Sequence, residues 1–424
     1  MPEFSTSPGM RDIIAPESFR WRRFVDVFEH TVGLAGYDLV IPPLLEDIGV
    51  FTRLGEATDV VTKEMYDFVD KGERHVALRP EQTASICRSF VEHRPTTPFK
   101  AWYAGPNFRY EKPQRGRYRQ FDQVGIEVLG SLDPYVDVEV IQLGWTFFAA
   151  LGLRNVELAI NSLGTPDDRS RYVAALHDYF ESRNADLSPE SQQTLLRNPL
   201  RVLDSKRSQD TPVIAEAPLI NSYWCSEAAE HFEVVCEALD AVGVPYTLDL
   251  KLVRGLDYYR GTTFEYRGGT LDSAQNALGG GGRYDGLVAD LGGPDTPGVG
   301  FAIGLDRTLL ACDDENVFAA PSQNADVFVV DVGDGSDAHS VCTELRAGGI
   351  RAERSWDQRS MKAQMKAANR SGARFAVLIG ESERAAGTAL IRDLRSDEEQ
   401  LSVARADLTG TLISRLSSLQ GASS

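Results

Sequence analysis

The stretch "AWYAGPNFRYEKPQRGRYRQFDQVGIEVLG", residues 101–130, contains two kinds of sequence. Its ends, 101–111 and 120–130, are rich in aromatic and β-branched residues and read as strands. Between them lies "KPQRGRYR", polar and basic with one glycine. Two such runs around a Gly-bearing loop predict a long antiparallel hairpin, with the loop expected to be mobile between rigid strands. Alternation along the second strand puts Gln123, Gly125 and Glu127 on one face. Polar groups on a buried face need partners, which a small polar ligand would supply. A solvent-facing sheet edge is the plainer alternative. Residues 109–119 also carry Arg109, Lys112, Arg115, Arg117 and Arg119 against one acid, Glu111. That is a net +4 within a chain of net charge −18.

Upstream, residues 17–36 read as an amphipathic helix, with Phe19, Trp21, Phe24, Val25, Phe28 and Val32 at three- and four-residue steps. "YDLVIPPLLE" (37–46) is extended, because Pro42 and Pro43 forbid a helix. "HVALRPEQTASICRSFVEH" (75–93) reads as a strand, a turn and a helix starting near Gln82 or Thr83. Downstream, 165–245 is helical and polar, an inserted unit. Strand patterning resumes with "YTLDLKLVRGLDYYRGTTFEYRGG" (246–269), and "TPGVGFAIGLDRTLLA" (296–311) is a Gly-rich strand entering a helix. A linker at 312–326 leads to alternating strands and helices, which predict a small α/β domain with a largely parallel core. The tail "SSLQGASS" is expected to be disordered. The boundaries are 1–322, with the helical insertion at about 165–248, and 323–424.

No apolar run reaches about 18 residues, so no membrane span is expected. The start "MPEFSTSPGM" has no basic or apolar leader pattern, which points to the cytoplasm. Five cysteines form no C-x-x-C pair and six histidines no H-E-x-x-H, so reduced thiols and no structural metal are expected. A second basic stretch, 351–374, holds seven Lys or Arg against Glu353 and Asp357. The two stretches together carry +9, leaving −27 on the rest. Two positive islands on a negative body fit a polyanion touched at two places, or two solvated faces.

"VRGLDYY" (253–259) offers Arg254 at a strand end, and Tyr258 and Tyr259 to a planar ligand; a surface arginine with two core tyrosines is the alternative. "GGGGRYDG" (279–286) permits close backbone approach or is a loose loop. "GVGFAIGLDR" (298–307) is spaced G-x-G-x-x-x-G without a following strand–helix–strand unit, so it is not a dinucleotide fingerprint. It delivers Arg307 into the first turn of a helix, where a phosphate would bind. In the helix at 359–371, Lys362, Lys366 and Arg370 share one face and Met361, Met365 and Ala368 another. An ordinary charged outer face and an RNA-facing surface both fit.

In this order, "LRPEQTA", "FRYEKPQRGRYRQFDQ", "LVRGLDYY", "GGGRYDGL" and "GVGFAIGLDR" resemble histidyl-tRNA synthetases, a family of class II aminoacyl-tRNA synthetases. "MRDIIAPES", "KEMYDF" and "NPLRVLDSK" extend the resemblance over nearly the whole chain. It implies an α/β protein, α+β in the catalytic domain: an antiparallel sheet flanked by helices, a helical insertion, and a C-terminal α/β anticodon-binding domain. It implies joining L-histidine to ATP, with Mg²⁺, and passing the histidyl group to tRNA(His). A homodimer is implied, with "YDLVIPPLLE" and its Pro43 at the subunit interface.

The resemblance also implies roles. Arg109 and Arg254 would be catalytic on the α-phosphate, and Arg307 would hold the γ-phosphate. Glu111 would accept from the adenine amino group and Phe121 would stack on the base. Glu81, Gln82 and Thr83 adjoin the substrate ammonium. Gln123, Glu127, Tyr258 and Tyr259 would enclose the imidazole. Arg115 and Arg117 would meet the tRNA acceptor end, and Lys362, Lys366 and Arg370 its other end. Three positions depart from the family pattern. Gln82 stands for the usual Gly, Asp122 for His, and Asp306 for Glu. Asp122 alternates away from Gln123 and is expected to affect packing more than binding. The rival reading is the histidine-binding regulatory subunit of ATP phosphoribosyltransferase, which shares the catalytic fold but normally lacks the arginines and the last domain. An RNA- or nucleotide-binding α/β module would explain only residues 325–424.

Overall fold

The computed structural model describes residues 4–53, 63–271, 276–321, 324–357, 359–396 and 398–421. The chain forms two compact units, Met1–Pro321 and Ser322–Ser424. The first begins with α1 (Glu17–Gly33), β1 (Asp38–Leu39), β2 (Leu45–Asp47), α2 (Ile48–Thr52), β3 (Tyr66–Val69), β4 (His75–Leu78) and α3 (Thr83–His93). It continues with β5 (Phe99–Phe108), β6 (Gln120–Leu129), α4 (Pro134–Ala150), β7 (Val156–Ser162), α5 (Pro166–Ser182), α6 (Pro189–Leu195), α7 (Thr211–Ala215) and α8 (Ser226–Ala241). It closes with β8 (Thr247–Leu248), β9 (Arg260–Gly268), β10 (Ala277–Arg283), α9 (Leu287–Asp290), β11 (Gly298–Gly304) and α10 (Leu305–Asp314).

Eight strands form one sheet in the order β1-β5-β6-β11-β10-β9-β7-β8. Only its two edge pairings, β1 with β5 and β7 with β8, are parallel. β5 and β6 pair without a shift from Phe99↔Leu129 to Phe108↔Gln120. Strand alternation divides the chemistry of β6. Val124, Ile126 and Val128 point into the main core beside Phe24 and Phe28 of α1, Phe147 of α4, and Phe301 of β11. There Phe24 and Phe28 each meet Phe147 edge-on with ring centroids 5.0 Å apart. Gln123, Gly125 and Glu127 face the other way.

The loop at 109–119 forms a hydrogen-bonded turn. The Arg109 N–H donates to the Arg119 carbonyl at 2.9 Å, and Gln114 and Arg117 exchange backbone bonds at 3.1 and 2.9 Å. The Arg119 N–H reaches Gly9 at 2.8 Å and the Tyr110 N–H reaches Glu64 at 2.6 Å. Both outside partners are remote in sequence, so composition carried no sign of them.

The helical insertion divides between two cores. Tyr172, Leu176 and Phe180 of α5 cluster with Val253, Tyr258 and Tyr259. Phe232, Val235 and Leu239 of α8 enter the main core instead. The strand expected through Arg254 is absent. The Leu252 N–H turns back to Asp249 at 2.8 Å, the Arg201 guanidinium holds the Gly255 carbonyl, and the strand begins only at Arg260. At the end of β10, the buried Arg283 donates to Asp137 of α4 at 3.0 and 2.6 Å and to the Ser131 and Asp133 carbonyls at 3.0 and 3.1 Å.

The second unit contains β12 (Val327–Asp331), α11 (Ser336–Ala347), β13 (Ala352–Arg354), α12 (Met361–Arg370), β14 (Phe375–Ile379), α13 (Glu381–Ala386), β15 (Thr388–Asp393), β16 (Leu401–Ala404) and α14 (Leu408–Gly421). Its sheet order is β13-β12-β14-β15-β16. The first three strands are parallel, and β15 and β16 add antiparallel, so the core is parallel on one side only. Leu408 and Leu412 of α14 are fully buried. That anchor makes the tail helical through Gly421 where disorder was expected from 417; residues 422–424 lie outside the described set.

Candidate active site

A cavity of about 280 Å³ opens on the polar face of the sheet. The hairpin supplies Tyr103, Arg109, Phe121 and Gln123, and its turn supplies Glu111 and Arg117. The start of α3 supplies Glu81, Gln82 and Thr83, the 254–259 segment Arg254, Tyr258 and Tyr259, and α10 Arg307. Residues from more than 200 positions apart thus line one hollow.

Glu127 lies beneath it, 1% exposed. Its carboxyl accepts from the hydroxyls of Thr83 at 2.7 Å, Tyr103 at 3.2 Å and Tyr284 at 2.6 Å. Burial pushes its pKa up to about 8. Glu81 accepts from the Thr83 and Ala84 N–H groups at 2.7 and 2.9 Å, so its carboxylate caps α3. Burial raises its pKa and those bonds oppose the rise. Gln123 accepts from the Asn107 amide at 2.8 Å. The Gln82 amide donates to the Gly105 carbonyl at 3.3 Å, while its oxygen is buried without a partner.

Four arginines face the cavity. Arg109 donates to the Pro80 carbonyl at 2.9 Å and lies over the Phe121 ring, 5.3 Å from its centroid. Arg254 pairs with Glu265 of β9 at 2.7 Å, and its Nε is buried without a partner. Gly280 makes room for it: a Cβ there would stand 2.8 Å from the Arg254 guanidinium carbon. Arg307 donates to the Ala277 carbonyl at 3.2 Å. Its pKa is lowered by burial first and then by repulsion from Arg117 and Arg109. Such a cluster favours an anion between its members. Arg117 points inward to an ion pair with Glu111, whereas Arg115 is exposed beside Asp314 at 3.8 Å. Asp122 also lines the cavity, although it was expected on the far face, and burial raises its pKa. Asp306 is held by Arg11 at 2.8 Å. In the second unit Lys362, Lys366 and Arg370 lie exposed along α12; Ala368 is buried, whereas Met361, expected on the packed face, is exposed.

Comparison with known proteins identifies the family. A family model described as histidyl-tRNA synthetase matches residues 9–308. The chain belongs to the histidyl-tRNA synthetase family. A second model, described as an anticodon binding domain, matches residues 326–415. The chain is 44% identical over 405 residues to a histidine–tRNA ligase of Corynebacterium kroppenstedtii, covering 94% of each chain. It is 42% identical over 420 residues to that of Geobacillus thermodenitrificans, covering 97% of this chain and 98% of the relative. Its fold matches the apo histidyl-tRNA synthetase of S. aureus with a TM-score of 0.81 and 34% identity, covering 96% and 99% of the two chains.

Tyr103, Asn107, Glu265 and Tyr284, which hydrogen-bond to residues of the site, had not been singled out from sequence. One sequence signal existed for Tyr103. Gly125 interrupts β6 directly opposite it, and a side chain at 125 would collide with the Tyr103 ring. Asn107, Glu265 and Tyr284 act through contacts 16, 11 and 157 residues away, which no local pattern reports. Among the described residues, no three or more His, Cys, Asp or Glu are grouped to hold a metal ion, and no helix is long and apolar enough to cross a membrane.

Proposed function

We propose that this chain activates L-histidine with ATP to histidyl-adenylate, releasing pyrophosphate, and then transfers the histidyl group to tRNA(His), releasing AMP. The observation that carries this reading is a cavity lined by four arginines with, beneath it, a buried carboxyl surrounded by hydroxyl donors. The first group suits a triphosphate and the second a small polar side chain.

In the first step the histidine carboxylate attacks the α-phosphorus and the bond to the bridging oxygen of pyrophosphate breaks. Negative charge grows on the phosphoryl oxygens. Arg109 and Arg254 bracket that charge, and their fixed partners, the Pro80 carbonyl and Glu265, remove the cost of reorganising them. Arg307 holds the γ-phosphate. Glu111 accepts from the adenine amino group and Phe121, already under Arg109, stacks on the base. Mg²⁺ would be carried on the triphosphate oxygens and would neutralise part of their charge.

Glu81 and Thr83, with Gln82 beside them, receive the substrate ammonium. Gln123, Glu127, Tyr258 and Tyr259 take the imidazole. Paired donors and acceptors discriminate a polar side chain strongly, so selection at this one site suffices. In the second step a terminal ribose hydroxyl of tRNA attacks the carbonyl of the adenylate and AMP leaves. Arg115 and Arg117 serve the acceptor end, and Lys362, Lys366 and Arg370 the far end. This accounts for both basic islands on an acidic chain.

Residues 1–322 form the catalytic domain, with the helical insertion at about 165–248, and 323–424 the anticodon-binding domain. We also infer a homodimer. Leu39, Ile41, Leu44 and Leu45 are exposed along residues 38–45, a row of apolar side chains that a second copy would cover. Five free cysteines suit the reducing cytoplasm.

The test is pyrophosphate exchange with ATP, Mg²⁺ and each amino acid in turn. Histidine-dependent exchange that Arg254→Ala loses by roughly 10²-fold or more supports the reading. Histidine binding without exchange for any amino acid would replace it with a regulatory, non-catalytic role.

A further inference from the structure

The basic stretch at 351–374 contains one residue that charge alone does not explain. Trp356 is 61% exposed. The other large aromatics of the second unit, Phe328 and Phe375, are buried at 4% and 1%. The chain's other four tryptophans, Trp21, Trp102, Trp145 and Trp224, lie in the first unit and are buried or half-buried.

The ring is presented, not loose. The Arg354 guanidinium carbon sits over it, 4.2 Å from its centroid. Arg354 is itself fixed by donating to the Gly335 carbonyl at 2.9 Å. One face of the indole is therefore covered by a planar cation and the ring remains largely open to solvent. Strand direction adds neighbours. β12, β13 and β14 run parallel, so the segment after β13, the end of β12 and the start of α12 emerge at the carboxyl end of the sheet, where α/β sheets receive ligands. Val332 and Met361, 54% and 46% exposed, emerge there too.

Charge selects the partner. Of the basic residues nearby, Arg351 pairs with Asp326, Arg374 with Asp393, and Arg384 with Asp331 and Asp337. Lys362, Lys366 and Arg370 have no carboxylate partner among the described residues, and they line the exposed face of the helix that starts at this sheet end. Lys362 and Lys366 are one turn apart, about 6 Å along the axis, and Arg370 lies at the opposite end of the helix. An open indole backed by arginine, next to unpaired lysines, matches a strand that presents an unstacked base and phosphates together.

We propose that Trp356, backed by Arg354, is a stacking platform for an unpaired base of an RNA loop, with Lys362 and Lys366 on the adjoining phosphates. This rests on the tRNA reading above and names the residue that holds a base. The probe is a synthetic RNA hairpin carrying the anticodon arm of tRNA(His), with its stem alone as a blunt duplex for comparison. Trp356 emission is read as wild type minus Trp356→Phe. The hairpin quenches that difference signal and the duplex does not. In aminoacylation Trp356→Ala raises KM for tRNA roughly tenfold or more, while Trp356→Phe, which keeps a ring, stays within about threefold. Histidine-dependent pyrophosphate exchange, which involves no tRNA, is equal in all three and shows that the catalytic unit is intact, and an unchanged far-UV circular dichroism spectrum shows that the second unit folds. The proposal is overturned by an unchanged KM in Trp356→Ala with no hairpin quenching. Equal quenching by the duplex would reduce the site to phosphate contact. Emission already shielded from iodide in the free enzyme would assign the face to a protein neighbour. Because hairpin quenching is read without catalysis, a chain that stacks RNA yet lacks exchange would sink the ligase reading and leave this one standing.

Discussion

Replacing Glu127 by Gln should remove a proton that histidine binding releases. The wild-type carboxyl is buried, accepts from three hydroxyls and has its pKa pushed up to about 8. At pH 7 such a group is roughly nine-tenths protonated. An imidazole N–H arriving against it favours the carboxylate and draws its pKa down. Binding at pH 7 therefore expels roughly 0.9 proton from this site, falling to roughly 0.1 at pH 9. Isothermal titration in two buffers of different ionisation heat measures the release directly, and the variant supplies the part due to the ligand's own ring. The free enzyme gives a second readout. The pKa is 4.5 for an unperturbed carboxyl and about 8 in the fold. Across that window the native state keeps a proton that the unfolded chain has given up. Stability is present below the window and is lost as pH rises through it, by at most about 1.4 kcal/mol per unit. The glutamine variant lacks that slope. Equal proton release by wild type and Glu127→Gln would refute the placement of the ring against this carboxyl.

Three other perturbations have outcomes set by geometry. Gly280→Ala puts a Cβ 2.8 Å from the Arg254 guanidinium carbon and 2.6 Å from the Phe264 carbonyl oxygen, so Arg254 must move. Pyrophosphate exchange should drop roughly 10²-fold, with some loss of stability because the β9 backbone at Phe264 must also give, and wild-type exchange would mean Arg254 is not position-critical. Asp137→Ala leaves Arg283 buried without its carboxylate and should destabilise the first unit by about 3–5 kcal/mol in urea unfolding; a change below about 1 kcal/mol would show the pair to be dispensable. Ile41→Asp charges a side chain 79% exposed in the proposed subunit contact. Light scattering should find the variant monomeric and wild type dimeric, and an unchanged dimer would move the interface elsewhere.

The hairpin was legible in residues 101–130 because strand periodicity, two apolar runs and a glycine-bearing gap are local properties of the chain. The same alternation correctly separated Gln123 and Glu127 from Val124 and Ile126. Arg307 at the start of a helix was legible for the same reason, since a Gly-rich strand led straight into an amphipathic pattern. The segment at 249–259 was misread as strand. Its apolar residues do alternate, but a turn at Asp249 and the grip of Arg201 on Gly255 override that preference from elsewhere in the chain.

Sequence alone determined which residue types were present and, apart from positions such as Asp122 and Met361, on which face of an element they lie, because a face follows from a period of 2.0 or 3.6 residues. Tertiary structure decided what each of them meets. It turned Glu127 into a high-pKa carboxyl by burying it, against the opposing pull of the Thr83, Tyr103 and Tyr284 hydroxyls, and it set Glu265 against Arg254. It drew Arg117 inward to Glu111 while leaving Trp356 in solvent over Arg354. Burial and charge–charge contact depend on distance through space, and the chain brings those distances about only once each unit has folded around its own sheet.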